Sequence, residues 1–284
     1  LAVMKKILLP TDFSENSINA IQYALNLFKD VPCRFFLLNV YRIPYLVNEE
    51  LMDQNVSQLA EMEDEMHKSS MESMEKLLAE LPENKNHHFE MISDYNLFNL
   101  AVHQVVNEKN IELIIMGTKG ATGAKEIFMG SNTGDIIMRN SCHVIAVPEN
   151  HSYKSPKEIV FPTDFQIDYD FDDLALLISL AGKNKSMISI VHFNENEDLD
   201  ELQKENKRKL SSLLKNIQHK YYTLSSSDFE EGLNCFTQSR GNIDMIVIIG
   251  RHYGFFQRLF FKPKVRALSF HTRIPLFVVH HLNE

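Results

Sequence analysis

Along the chain, short apolar runs alternate with stretches whose apolar residues recur every three or four positions. Residues 5–9 read as a strand. Ser14 then stands as a helix N-cap, followed by Ile18, Ile21, Ala24, Leu25 and Phe28 at helical spacing. Phe35 to Val40 is a continuous apolar run, the pattern of a strand covered on both faces. A long helix is predicted over 51–81 through Met52, Val56, Leu59, Met66, Met74, Leu77 and Leu81, closed by Pro82. A weaker strand at 89–92, a helix at 97–106, a strand at 111–116, a helix at 131–139 and a strand at 143–147 complete this half.

The second half repeats the first. Ile7-Leu8-Leu9-Pro10-Thr11-Asp12-Phe13 returns as Ile159-Val160-Phe161-Pro162-Thr163-Asp164-Phe165. The runs 111–116 and 143–147 return as 243–248 and 275–279, in the same order, and the second helix region of this half falls at about 197–219. The polar stretch 149–156 reads as a linker, so the expected domains are 1–150 and 151–284. Strand–helix alternation implies an α/β architecture: two tandem, doubly wound parallel sheets with right-handed crossovers. Ligands of such sheets sit beyond the carboxyl ends of the strands, where both Thr-Asp pairs fall.

Composition narrows the function. The net charge of −9 opposes an extended nucleic-acid surface. Three widely spaced cysteines without a CxxC argue against a disulfide framework and for a reducing, cytoplasmic setting. No apolar stretch approaches the roughly 20 residues of a membrane span, and the early strand leaves no room for a signal peptide. The adjacent histidines His87-His88 and His280-His281 would point to opposite faces of a strand, so no metal site is expected. No nucleophile elbow, Walker A loop or Rossmann GxGxxG occurs. A dedicated enzyme is therefore not expected, and no residue is assigned as catalytic.

The chemistry concentrates after the strand 111–116. Met116 leads into Gly117-Thr118-Lys119-Gly120, and nine residues later Gly130-Ser131-Asn132-Thr133 opens a helix. Glycines let the backbone approach a phosphate, and the helix start offers free N–H groups at the positive end of its dipole. Ser131 and Thr133 add hydroxyls, and Lys119 and Lys125 add charge.

A G-x2-G-x9-G-[ST] loop after the fourth strand, with Pro-Thr-Asp-Phe-Ser after the first, resembles the universal stress protein family over essentially the whole chain. The resemblance implies adenine-nucleotide alpha hydrolase-like domains of strand order 3-2-1-4-5, related by a pseudo-two-fold axis. It implies ATP, alone or with Mg²⁺, as the ligand of the first domain. Gly117, Gly120, Gly130 and Ser131 would hold phosphate, with Lys119, Asn132 and Thr133 beside them. Asp12 and Val40 would take the nucleoside, with Met116 at the loop entrance. Family domains pair through their last strands, which implies an intramolecular pseudo-dimer through 143–147 and 275–279, with a further homodimer open.

The second domain departs from the pattern. Aligned on Asp244 as the partner of Glu112, its loop positions become Ile249, His252 and Lys262, with Pro263 in place of Ser131. Aligned on Gly250, it reads Gly250-Arg251-His252-Tyr253-Gly254. Either way the third glycine and its serine are gone. The leading expectation is a nucleotide-controlled regulator or protector in the stress response. The rivals are a slow Mg²⁺-dependent ATPase using the first domain and a binding module acting through the second-domain cleft.

Overall fold

The computed structural model describes residues 4–42, 56–118, 131–193, 198–224, 229–250 and 273–280. The first half runs β1 (Lys5–Pro10), α1 (Glu15–Leu27), β2 (Cys33–Tyr41), α2 (Val56–Glu80), β3 (His87–Tyr95), α3 (Phe98–Lys109), β4 (Leu113–Gly117), α4 (Ser131–Arg139) and β5 (His143–Val147). The second runs β6 (Glu158–Pro162), α5 (Phe171–Asn184), β7 (Met187–Phe193), α6 (Glu201–Leu213), β8 (Gln218–Leu224), α7 (Phe229–Arg240), β9 (Met245–Ile249) and β10 (Leu276–Val279).

Among the described residues these strands form one sheet, ordered β3-β2-β1-β4-β5-β10-β9-β6-β7-β8. Each half has the expected 3-2-1-4-5 order, with parallel neighbours throughout. Where the halves meet, β10 runs antiparallel to β5, with Leu276 opposite Ala146, Phe277 opposite Ile145 and Val278 opposite Val144. The near-continuous apolar strands follow from burial on both faces. One core layer packs β-strand residues such as Ile7, Leu37, Ile145 and Phe277 with α1, α2, α5 and α6. The other packs Leu8, Leu38, Val144 and Val278 with α3, α4 and α7.

Local chemistry sets the element ends. Ser14 Oγ accepts from Ser17 N at 3.3 Å and starts α1. α3 and α5 stop at Asn110 and Lys185, both left-handed at φ 53° and 52°. α6 opens on a capping box formed by Asp200 and Gln203. It ends at Leu213, earlier than its apolar pattern predicts, because buried Leu214 and Ile217 turn the chain into β8. β3 is longer than predicted for the opposite reason. It is an outer strand with no fully buried residue, so its apolar signal is faint while β2 pairs it along its whole length. Of the helix expected over 51–81, residues 51–55 lie outside the described residues, and Glu61 to Glu65 are exposed.

The linker is pinned to both halves. Asn19 Nδ2 donates to the carbonyls of Pro148 and His151, each at 3.2 Å. His151 Nδ1 lies 3.0 Å from the carbonyl of Arg273. No described helix is long and apolar enough to cross a membrane. Cys33 and Cys142 are buried and free, and burial pushes both thiols up to about 12.

Candidate functional site

The carboxyl ends of β1, β2 and β4 converge where the strand order reverses, the switch point of a doubly wound sheet. β1 ends at Pro10, opposite Leu38, and Thr11 N donates to Leu38 O at 2.8 Å. β2 continues to Tyr41. In a parallel ladder successive residues point their backbone groups to alternate sides. The N–H and C=O of Val40 therefore face the side on which β1 has already ended.

Below this crevice lies a buried polar chain that sequence reasoning missed. Ser93 Oγ donates to Ser70 Oγ at 2.8 Å, and Ser70 Oγ donates to Asn39 Oδ1 at 2.8 Å. Asn39 Nδ2 then donates to Thr11 O at 2.8 Å, and Thr11 Oγ1 is 3.0 Å from Ser17 Oγ. The chain ties α2, β3 and β2 to the turn after β1. An asparagine within the apolar run Leu37-Leu38-Asn39-Val40 was the signal: a buried amide needs partners.

Asp12 is exposed at that turn, and its Oδ1 accepts from Ser14 N at 3.1 Å and Ser14 Oγ at 2.5 Å. Met116 is buried at the end of β4. Thr133, on the first turn of α4, donates its hydroxyl to Gly117 O at 3.0 Å. It thus supports the loop entrance rather than offering its proton to a ligand. Asn132 is exposed beside it, and α4 begins at Ser131. Lys119, Gly120, Lys125 and Gly130 lie outside the described residues. The structure therefore brings together Asp12, Val40, Met116, Gly117 and the start of α4.

A cavity of about 550 Å³ lies at the other end of these strands, lined by Lys5, Glu112, His143, Asp172 and Leu176 among others. Its Lys5 is tied to Glu112 at 2.6 Å, so that cation is already paired.

The universal stress protein family model matches residues 4–148, just over half of the chain. The chain belongs to the universal stress protein family. Two universal stress proteins of Methanocaldococcus jannaschii are similar to it. One is 26% identical over 54% of this chain and 84% of its own length, the other 25% over 52% and 97%. A universal stress protein structure from Archaeoglobus fulgidus aligns over 97% of this chain and 96% of its own, with a TM-score of 0.63 at 16% identity. That likeness extends the fold to both halves.

Within this universal stress protein the second half keeps the frame and differs at the ends of its first and fourth strands. Gly250 N donates to Val279 O at 2.8 Å as Thr118 N does to Val147 O at 3.0 Å. Glu158 N bonds Asp244 as Lys6 N bonds Glu112. The Asp244 alignment is therefore the correct one, and Ile249 replaces Gly117. His192 stands where Asn39 does, its Nδ1 3.0 Å from Thr163 O.

The turn after β6 is closed over. Phe165 is 1% exposed, with its ring centroid 5.0 Å from that of His192 and 6.1 Å from that of Tyr221. Gln203 Nε2 and Asn206 Nδ2 donate to the carbonyls of Asp164 and Phe165 at 2.8 and 2.9 Å. These side chains cover the turn after β6. His252, Lys262 and Pro263 lie outside the described residues.

Proposed function

We propose that this chain is a nucleotide-controlled regulator or protector of the stress response, binding one ATP in its first half. The observation that carries the reading is that β4 ends at Gly117 and the first turn of α4 bonds back to it through Thr133, with Gly120 and Gly130 between them in the sequence. There the N–H groups and dipole of α4 favour a phosphate. The acidic surroundings of the opposite end support one orientation. Partial burial together with Glu63, Asp94 and Asp64 pushes the Tyr41 phenol pKa up. Phosphates are repelled from that end, which leaves Val40 to the base and Gly117, Gly120, Gly130 and Ser131 to the phosphates. Lys119 and Lys125 supply counter-charge, and Mg²⁺ would accompany the phosphates.

On this reading residues 1–150 and 151–284 are the two domains. Their closing strands make the chain an intramolecular pseudo-dimer in a reducing compartment such as the cytoplasm. The second domain is its structural partner, since Ile249 stands where the first has Gly117.

Titration calorimetry should give one site per chain. At ligand concentrations ~100 times Kd, ATP should stabilise the native protein by about 2.7 kcal/mol. That corresponds to a melting shift of about 5–10 °C. Gly130→Val should abolish the shift, because a side chain blocks backbone approach to phosphate. Two equivalent sites, or an equal shift in both proteins, would sink the reading.

A further inference from the structure

Gly117 leaves room for one particular neighbour. A Cβ at this position would lie 2.5 Å from Asn16 Nδ2, 2.7 Å from its Cγ and 2.8 Å from its Oδ1. The residue sits at the end of β4 without a positive φ, so its glycine serves space rather than conformation. Asn16, in the first turn of α1, is 4% exposed, so its amide has little freedom to withdraw. From other directions Thr133 Oγ1 holds the Gly117 carbonyl and Thr118 N holds Val147 O, each at 3.0 Å. The entrance of the glycine loop is thus seated on the Asn16 amide.

The second half offers an internal comparison. There Ile249 takes the place of Gly117, and α5 begins at Phe171, later after its strand than α1 does. Thr163 pairs there with Tyr169, which precedes the helix, whereas Thr11 pairs with Ser17 inside α1. Ile249 packs against the core. The close approach of Asn16 to Gly117 therefore belongs to the half with the glycine loop.

We infer that Asn16 is a positioning residue of the phosphate end of the site. It rests on the ATP reading above. Its amide fills the space under the first glycine without charge, whereas a carboxylate there would oppose the phosphates in a poorly screened place. The pairing also explains why sequence spacing alone misses Asn16, which lies about a hundred residues from the loop it supports.

The test uses the full chain, with ATP and adenosine titrated separately. Asn16→Asp, nearly isosteric, should weaken ATP by on the order of tenfold or more and adenosine by less than about threefold. Asn16→Ala should show the same split through a misplaced loop, and it carries the test if the aspartate variant does not fold. In melting experiments Gly117→Ala should be less damaging in the Asn16→Ala background than alone, because the clash is gone. Equal losses for ATP and adenosine, or no loss for either, would leave Asn16 a packing residue and overturn the inference. Wild-type protein that binds no ATP would end the nucleotide reading and this inference with it. In that case the melting cycle would still report the Asn16–Gly117 contact, so the two failures are told apart.

Discussion

Phe277→Ala is expected to lower stability by about 3–5 kcal/mol, the range for truncating a buried aromatic residue. Phe277 is 0% exposed in the middle of β10. It stands opposite Ile145 across the antiparallel ladder and beside Val247 in the parallel one. Its ring meets that of His143 edge-on at 5.8 Å. The loss therefore falls on the ladder that joins the halves, whose register covers three residues of each strand. Once β10 separates, β5 becomes an unpaired edge open to other chains. Urea unfolding should show the lower midpoint, and sedimentation of partly unfolded protein should show self-association. A loss under about 1 kcal/mol, with the protein still monodisperse, would mean that this ladder is not what holds the halves together.

Acid should loosen the same junction. The His143 imidazole is 3% exposed and its pKa is lowered to about 4, first by burial, then by His280 and Lys5. The fold holds the neutral ring, whose Nδ1 accepts from His280 N at 3.1 Å. Below the ordinary pKa of 6.5, the unfolded chain takes up a proton that the folded chain refuses until about pH 4. The contribution is fully present above pH 6.5 and is lost as pH falls towards 4, approaching about 3 kcal/mol. His280 is lowered by burial as well, so it acts in the same direction. Denaturant midpoints measured from pH 7.5 to 4.5 should fall in the wild type. His143→Gln, which keeps an acceptor without a titrating ring, should flatten that profile by the larger part. An unchanged profile would place the acid sensitivity elsewhere.

Much of this protein is legible in one dimension. The repeat of Pro-Thr-Asp-Phe announced two similar halves, and alternating periodicities announced their parallel sheets. The glycine spacing at 117, 120 and 130 pointed to a phosphate loop. Each of these signals is local: a strand, a cap or a loop is specified by residues within a few positions of one another. Ser14 shows it well, since its hydroxyl serves an N–H three residues on.

Other features depend on elements far apart in the chain. Pattern alone left two alignments of the second loop, and the shared hydrogen bonds of Asp244 with Glu158 and of Gly250 with Val279 decided between them. The cover over the turn after β6 needs Phe165, His192, Gln203, Asn206 and Tyr221 to meet, and no spacing rule joins residues of a turn, two strands and a helix. Asn39 looked like an interruption in a strand until Ser70 and Thr11 closed around it. Apolar and turn patterns say what an element is and which face it hides. The identity of the neighbour that fills a given space, such as the amide of Asn16 against Gly117, exists only once the sheet has brought the two segments together.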